Sequence, residues 1–236
     1  LDNDGNGEWS GGSSPIQTID IPFTFRFYGI DYNEITVCTN GWIALGESNS
    51  RSFRNYPIPG AGGPAPMIAA FWDDLKTTSG GDIFVYNAGD SFIVEWSNMK
   101  TYTNNADETF QVILYNDSSG PYGDNSIKIQ YKEFNNSSSG SFSGYTPIHG
   151  GYCTVGIEDE SGNRGLQYTF NNDYPISSHF LEDYTALFIS TMSPQTIPIP
   201  NLYYEPASIS INILPEENFE QEITIENSGD SGSYLN

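Results

Sequence analysis

Positive charge is what this sequence has least of: Lys and Arg together number 8 against 30 Asp and Glu, a formal charge of −22. Such an imbalance repels a phosphate backbone and an anionic lipid surface alike, so nucleic acid and membrane insertion are excluded as expectations. No apolar run is long enough to span a bilayer. The first residues, LDNDGNGEW, are polar and glycine-rich and carry no signal peptide; an exported form would have lost its signal or carry it upstream. Histidine is as scarce, with His149 in TPIHGGY and His179 in ISSHFLED, neither beside a nucleophile motif, and GxSxG is absent. GAGG at 60–63 runs into Pro64 and Pro66 without a helix to hold a phosphate.

Cysteine is limited to Cys38 in ITVCTNG and Cys153 in GYCTVGIE. Either they form a disulfide, worth about 4 to 5 kcal/mol in the chain-entropy picture, or they stay as two buried thiols acting as small apolar residues. Neither has the spacing of a zinc site.

Carboxylates are plentiful, and two kinds of chemistry could use them. Glycoside hydrolysis needs two acids across a cleft, and the candidates are Asp73, Asp74, Glu95, Glu158, Asp159 and Glu160. Asp73 and Asp74 are adjacent, so a continuing strand sends them to opposite faces. The chain is therefore expected not to be an enzyme. Calcium is the other use: in DNDGNGE, Asp2, Asp4, Asn6 and Glu8 offer oxygens around Gly7, as at the start of a calcium loop. The twelfth position is Ser13, so a helical calcium hand is excluded and further ligands must come from elsewhere. An Asp/Gly-rich loop without metal is the alternative; EDESGNRG at 158–165 is a second oxygen-rich turn. NDS at 116 and NNSS at 135 match the glycosylation acceptor pattern and mark surface loops.

What is abundant is short β-type runs: IDIPFTFRFYG, EITVCTNGWIALG, PMIAAFWDD, DIFVYN, SFIVEWSNM, ETFQVILYND, SIKIQYKEF, YCTVGIED, GLQYTFN and ALFIS, separated by Gly/Ser/Asn/Pro turns. No window has a helical period. The expected fold is all-β, an antiparallel β-sandwich. FTFRFYG places Phe23, Phe25 and Phe27 on one face, and SIKIQY does the same with Ile127, Ile129 and Tyr131. In TFQVILY both faces are apolar, which predicts a central strand covered on both sides. The sandwich is expected over 1–196. Prolines 194, 198, 200 and 206 then mark 197–236 as an extended linker followed by two strands, ASISINIL and QEITIEN, a hairpin or partial domain.

The ordered marks TNGWIALG, AAFWDDL, FIVEW, TFQVILY and VGIED, within about residues 16–190, resemble the nidogen-type extracellular domain, especially bacterial relatives in large secreted proteins. That resemblance implies an extracellular or cell-surface β-rich module without enzymatic activity, used in adhesion or beside catalytic domains. It also makes the tail look like the opening of an immunoglobulin-like repeat. In AAFWDDL it implies that Trp72 packs inside the core while Asp73 and Asp74 close the strand against the TTSGG turn or hold calcium. Two functions follow as expectations. One is a non-catalytic module binding matrix proteins or glycans through end loops that carry Tyr56, Tyr102, Tyr122 and Tyr145. The other is a subunit of a homopolymeric filament or tube, assembled by strand addition through the C-terminal segment, with calcium at the contacts.

Overall fold

The computed structural model describes residues 15–78, 80–117, 123–138, 151–191, 202–205, 220, 222 and 224–227. The chain divides into two units, 1–191 and 192–236. The expected boundary at 196/197 lies outside the described residues.

Unit 1 is two antiparallel sheets around one core. In chain order the strands are β1 (Ile16–Phe27), β2 (Ile30–Cys38), β3 (Trp42–Leu45), β4 (Met67–Trp72), β5 (Leu75–Lys76), β6 (Asp82–Asn87), β7 (Ser91–Thr101), β8 (Asp107–Tyr115), β9 (Ile127–Phe134), β10 (Thr154–Glu158), β11 (Gly165–Phe170) and β12 (Ala186–Ile189). The first sheet has the order β1-β2-β3-β4-β10-β11; the second has β12-β9-β8-β7-β5, with β6 also pairing β7.

The two sheets differ in how their outer faces are treated, and the strands record it. MIAAFW in β4 and WIAL in β3 are buried at every position, as strands covered on both sides must be. One cover is the second sheet. The other is the segment after β3: Ile58 and Tyr56 pack with Cys38, Trp42, Ala44, Met67, Ala69 and Trp72 in a separate cluster. Both indoles fasten it, Trp42 Nε1 and Trp72 Nε1 donating to the Ser52 carbonyl at 2.8 and 3.1 Å. Strands β7 and β9 instead alternate, with Val94, Trp96, Ile129 and Tyr131 buried and Glu95, Ser97, Lys128 and Gln130 partly exposed.

Between the sheets Trp96 stacks on Phe110 with centroids 5.0 Å apart, and Phe110 on Phe71 at 5.5 Å. Two hydrogen bonds cross this apolar layer: Trp96 Nε1 donates to the Cys38 carbonyl at 2.8 Å and Tyr131 Oη to the Ala70 carbonyl at 2.7 Å. They satisfy buried polar atoms that would otherwise cost about 1–3 kcal/mol each.

Two expectations need correction and one is refined. Trp72 is buried at 1% exposure, as expected, but it packs in the outer cluster of the first sheet and not between the two sheets. Ala70 N and Phe71 N both donate to the Gly41 carbonyl, so a bulge turns two successive residues inward and flips the alternation beyond it. Trp72 then faces outward under the 47–66 segment. The disulfide is absent: Cys38 and Cys153 are free and buried, one in the outer cluster and one in the central core, on opposite faces of the first sheet. Finally, LYYE is not linker but strand β13 (Leu202–Glu205), pairing antiparallel with β14 (Thr224–Asn227) in unit 2. Pro200 and Pro206 flank this short β-prone run without removing a donor inside it. ASISINIL, and with it the immunoglobulin-like reading, lies outside the described residues.

Candidate functional site

Strand register lines up the outward side chains of the second sheet in straight rows. One row is Phe84, Glu95, Gln111, Gln130 and Ala186, from β6, β7, β8, β9 and β12. The next is Tyr86, Ile93, Ile113, Lys128 and Phe188. Neighbouring strands lie about 4.8 Å apart, so a five-strand row spans about 19 Å. Along the first row the polar groups are joined: Gln130 Nε2 donates to Gln111 Oε1 at 2.6 Å, and Gln111 Nε2 donates to Glu95 Oε2. This ladder floors an open cleft of about 400 Å³ that Ser97, Thr109, Lys132 and Tyr184 also line. β8 is central, between β7 and β9, and its outer face is covered in part: Ile113 is 8% exposed, while Gln111 and Tyr115 are half-buried, Tyr115 meeting Phe188 edge-on at 6.2 Å.

A second cluster sits at the end of the sandwich where β4 stops. Asp73 and Asp74 are buried at 6% and 8% exposure, and Glu108 is fully buried. Asp73 Oδ1 accepts the Asp74 N–H at 2.7 Å, while its Oδ2 has no hydrogen-bond partner among the described residues. Burial, together with the neighbouring Asp74 and Glu108, pushes the Asp73 carboxyl well above its ordinary range. Glu108 accepts the N–H groups of Asn135 and Asn136, both at 2.9 Å, yet burial outweighs these two bonds and raises its pKa to about 8. Asn136 Oδ1 in turn accepts the Cys153 N–H at 2.9 Å. The cluster lies where β4 ends, and burial favours the neutral form of Asp73 and Glu108. Among the described residues no group of three or more His, Cys, Asp and Glu is placed to hold a metal ion.

The other acids are spent on turns. Glu158 Oε2 accepts the Gly60 N–H at 3.0 Å; Asp159 Oδ1 accepts Ser161 Oγ at 2.7 Å and its Oδ2 accepts Arg164 Nε at 2.8 Å. Tyr56 is packed near Trp72, and Tyr102 lies under the Lys76 ammonium 5.3 Å from the ring centroid. Tyr122 and Tyr145 lie outside the described residues, as do Asp2, Asp4, Asn6, Glu8 and His149. His179 is exposed, and its backbone carbonyl accepts Tyr168 Oη at 2.8 Å.

A family model described as NIDO related matches residues 7–193, which is the sandwich from end to end. The chain belongs to the NIDO related family. Such domains are typically extracellular. No curated protein and no solved structure matches the chain. Among the described residues of this NIDO-related chain, no helix is long and apolar enough to cross a membrane.

The open face of the NIDO-related sandwich was only half visible in sequence. Glu95 stood out as a carboxylate, but Gln111, Gln130, Phe84, Phe188 and Tyr184 did not. The signal that could have found them is the alternation of SIKIQY and SFIVEW against the unbroken MIAAFW: the first two declare a face without cover.

Proposed function

We propose that this chain is a non-catalytic, extracellular binding and adhesion module that takes its ligand on the outer face of the second sheet. The observation carrying this is the unequal covering of the two sheets. The middle strands of the first sheet, β3, β4 and β10, are buried at every position, whereas the second sheet leaves a polar ladder and a cleft exposed across its middle strands. The non-catalytic reading draws on the lining: among the described residues Glu95 is the one carboxylate in the cleft wall, and it is already bonded to Gln111, whereas hydrolysis of a glycosidic bond uses two acids.

Beads carrying the full chain, panned over immobilised extracellular proteins and polysaccharides, should be retained on at least one surface. Replacing Gln111 and Gln130 together by Ala should cut that retention tenfold or more, with the unfolding midpoint nearly unchanged because both side chains are partly exposed. Retention indifferent to the double variant would count against the face.

A second reading, a filament subunit, has one observation in its favour. Strand β6 borders the second sheet, and its Phe84, Val85 and Tyr86 are 55%, 51% and 65% exposed, an apolar edge without the lysine or proline that usually blunts one. In this reading the C-terminal segment of the next copy adds to β6. Sedimentation at rising concentration would show assemblies that Val85→Lys abolishes; a chain that stays monomeric throughout rules the filament out.

A further inference from the structure

Resting on the proposal that the open face is the binding surface, we infer that its ligand is a neutral polysaccharide lying across the strands. Four observations point to that chemistry. The ladder of Glu95, Gln111 and Gln130 is made of planar groups at strand spacing. Each amide has two N–H donors and two acceptor sites, of which the ladder itself spends only part. Groups that both give and take hydrogen bonds match sugar hydroxyls, which do the same; an apolar peptide would strand them.

Aromatic rings stand at both margins of this polar floor. Phe84 and Tyr86 on β6 are 55% and 65% exposed, and Phe188 on β12 is 55% exposed. A sugar ring offers a C–H face to such a ring while its hydroxyls reach sideways to the floor. The distance between the outer strands, about 19 Å, suits several sugar rings in a row.

Tyr184 is the third observation. It lines the cleft, is 85% exposed, and holds φ at +63, a left-handed conformation that a bulky side chain adopts only at a cost. The Tyr184 N–H donates to the Tyr131 carbonyl at 2.9 Å, which fixes the ring's base on β9. An aromatic ring held out at the cleft mouth in a costly conformation is what a stacking platform requires.

Charge decides which sugars. All four lysines of the chain, Lys76, Lys100, Lys128 and Lys132, lie on strands of the second sheet, which also carry Asp82, Glu95, Asp107 and Glu133 outside the core and Glu108 buried within it. The face is thus close to neutral on a molecule whose formal charge is −22. A neutral glycan meets no field there, while a uronic-acid or sulfated chain must approach through the negative field of the rest of the surface.

Native affinity electrophoresis of the full chain tests this, with a soluble glucan, xylan or mannan in the gel and alginate as the anionic comparison. At least one neutral polymer should retard the chain, alginate should not, and Tyr184→Ala or the Gln111→Ala/Gln130→Ala pair should weaken retardation tenfold or more while the unfolding midpoint is kept. The inference is overturned if no neutral polymer retards the chain, if alginate does so equally, or if the variants migrate like the parent. Face-dependent retention on immobilised proteins without any polysaccharide retardation would sink the sugar and spare the face. Absence of both would sink the two together.

Discussion

Gly41→Ala is expected to unfold this protein well before any surface variant does, with a loss of about 4 kcal/mol or more and a fall in Tm of about 10 °C. Gly41 holds φ at +77 in the turn between β2 and β3, and a Cβ built there lies 1.9 Å from the Phe71 carbonyl oxygen. The conformation alone costs a non-glycine residue roughly 1–2 kcal/mol. The clash adds more, because the atom in the way is backbone. It cannot retreat without breaking the two bonds from Ala70 N and Phe71 N to the Gly41 carbonyl, and with them the bulge that sends Phe71 into the aromatic stack. Gly29→Ala is the control: φ there is +80, yet nothing lies within 4 Å of its Cβ, so only the conformational cost applies. Equal denaturation midpoints for the two variants would show that the bulge is not the keystone described above.

Stability should also fall as pH rises, the reverse of the usual behaviour of a carboxylate held by a salt bridge. Glu108 has a folded pKa of about 8 against an ordinary value of 4.5. Between those values the folded chain keeps a proton that the unfolded chain releases, so unfolding becomes easier with each step up in pH. The contribution is complete below about pH 4.5 and is lost as pH passes about 8, an effect on the order of 2–4 kcal/mol for a group so fully buried. Asp73, raised by burial in the same cluster, acts in the same direction. Self-repulsion of a −22 chain has the same sign, and variants separate the two. Asp73→Asn with Glu108→Gln should flatten most of the difference between urea midpoints at pH 5 and pH 8.5. A parent whose midpoint is constant or rises over that range would contradict the assignment.

These two sites show where sequence reasoning reached and where it stopped. The runs and their alternation placed nearly every strand of unit 1, because burial on one face imposes a period of two that composition alone cannot hide. The bulge at Ala70–Phe71 was invisible, since it depends on a carbonyl of the β2–β3 turn accepting two N–H groups. Trp72 therefore lands in the outer cluster, where strict alternation along MIAAFW does not put it. Cys38 ends β2 and Cys153 directly precedes β10 of the same sheet, but only the packing reveals that one thiol joins the outer cluster and the other the central core. The candidate face was hidden for a similar reason: Glu95, Gln111 and Gln130 are far apart in the chain and meet because β7, β8 and β9 align at those residues. Polar residues at outward positions were legible; their row was not.

The central claim is that the second sheet keeps an open outer face and that ligand sits there. Gln111→Cys places a single thiol mid-ladder, while the native Cys38 and Cys153 are 0% exposed and stay unreactive in the folded chain. The most direct measurement is the rate at which a maleimide-polyethylene glycol modifies that thiol in the native state, followed by the retention assay. Rapid single modification and loss of retention are predicted; a thiol as slow as the buried pair, or a modified chain that is retained as before, would contradict the account.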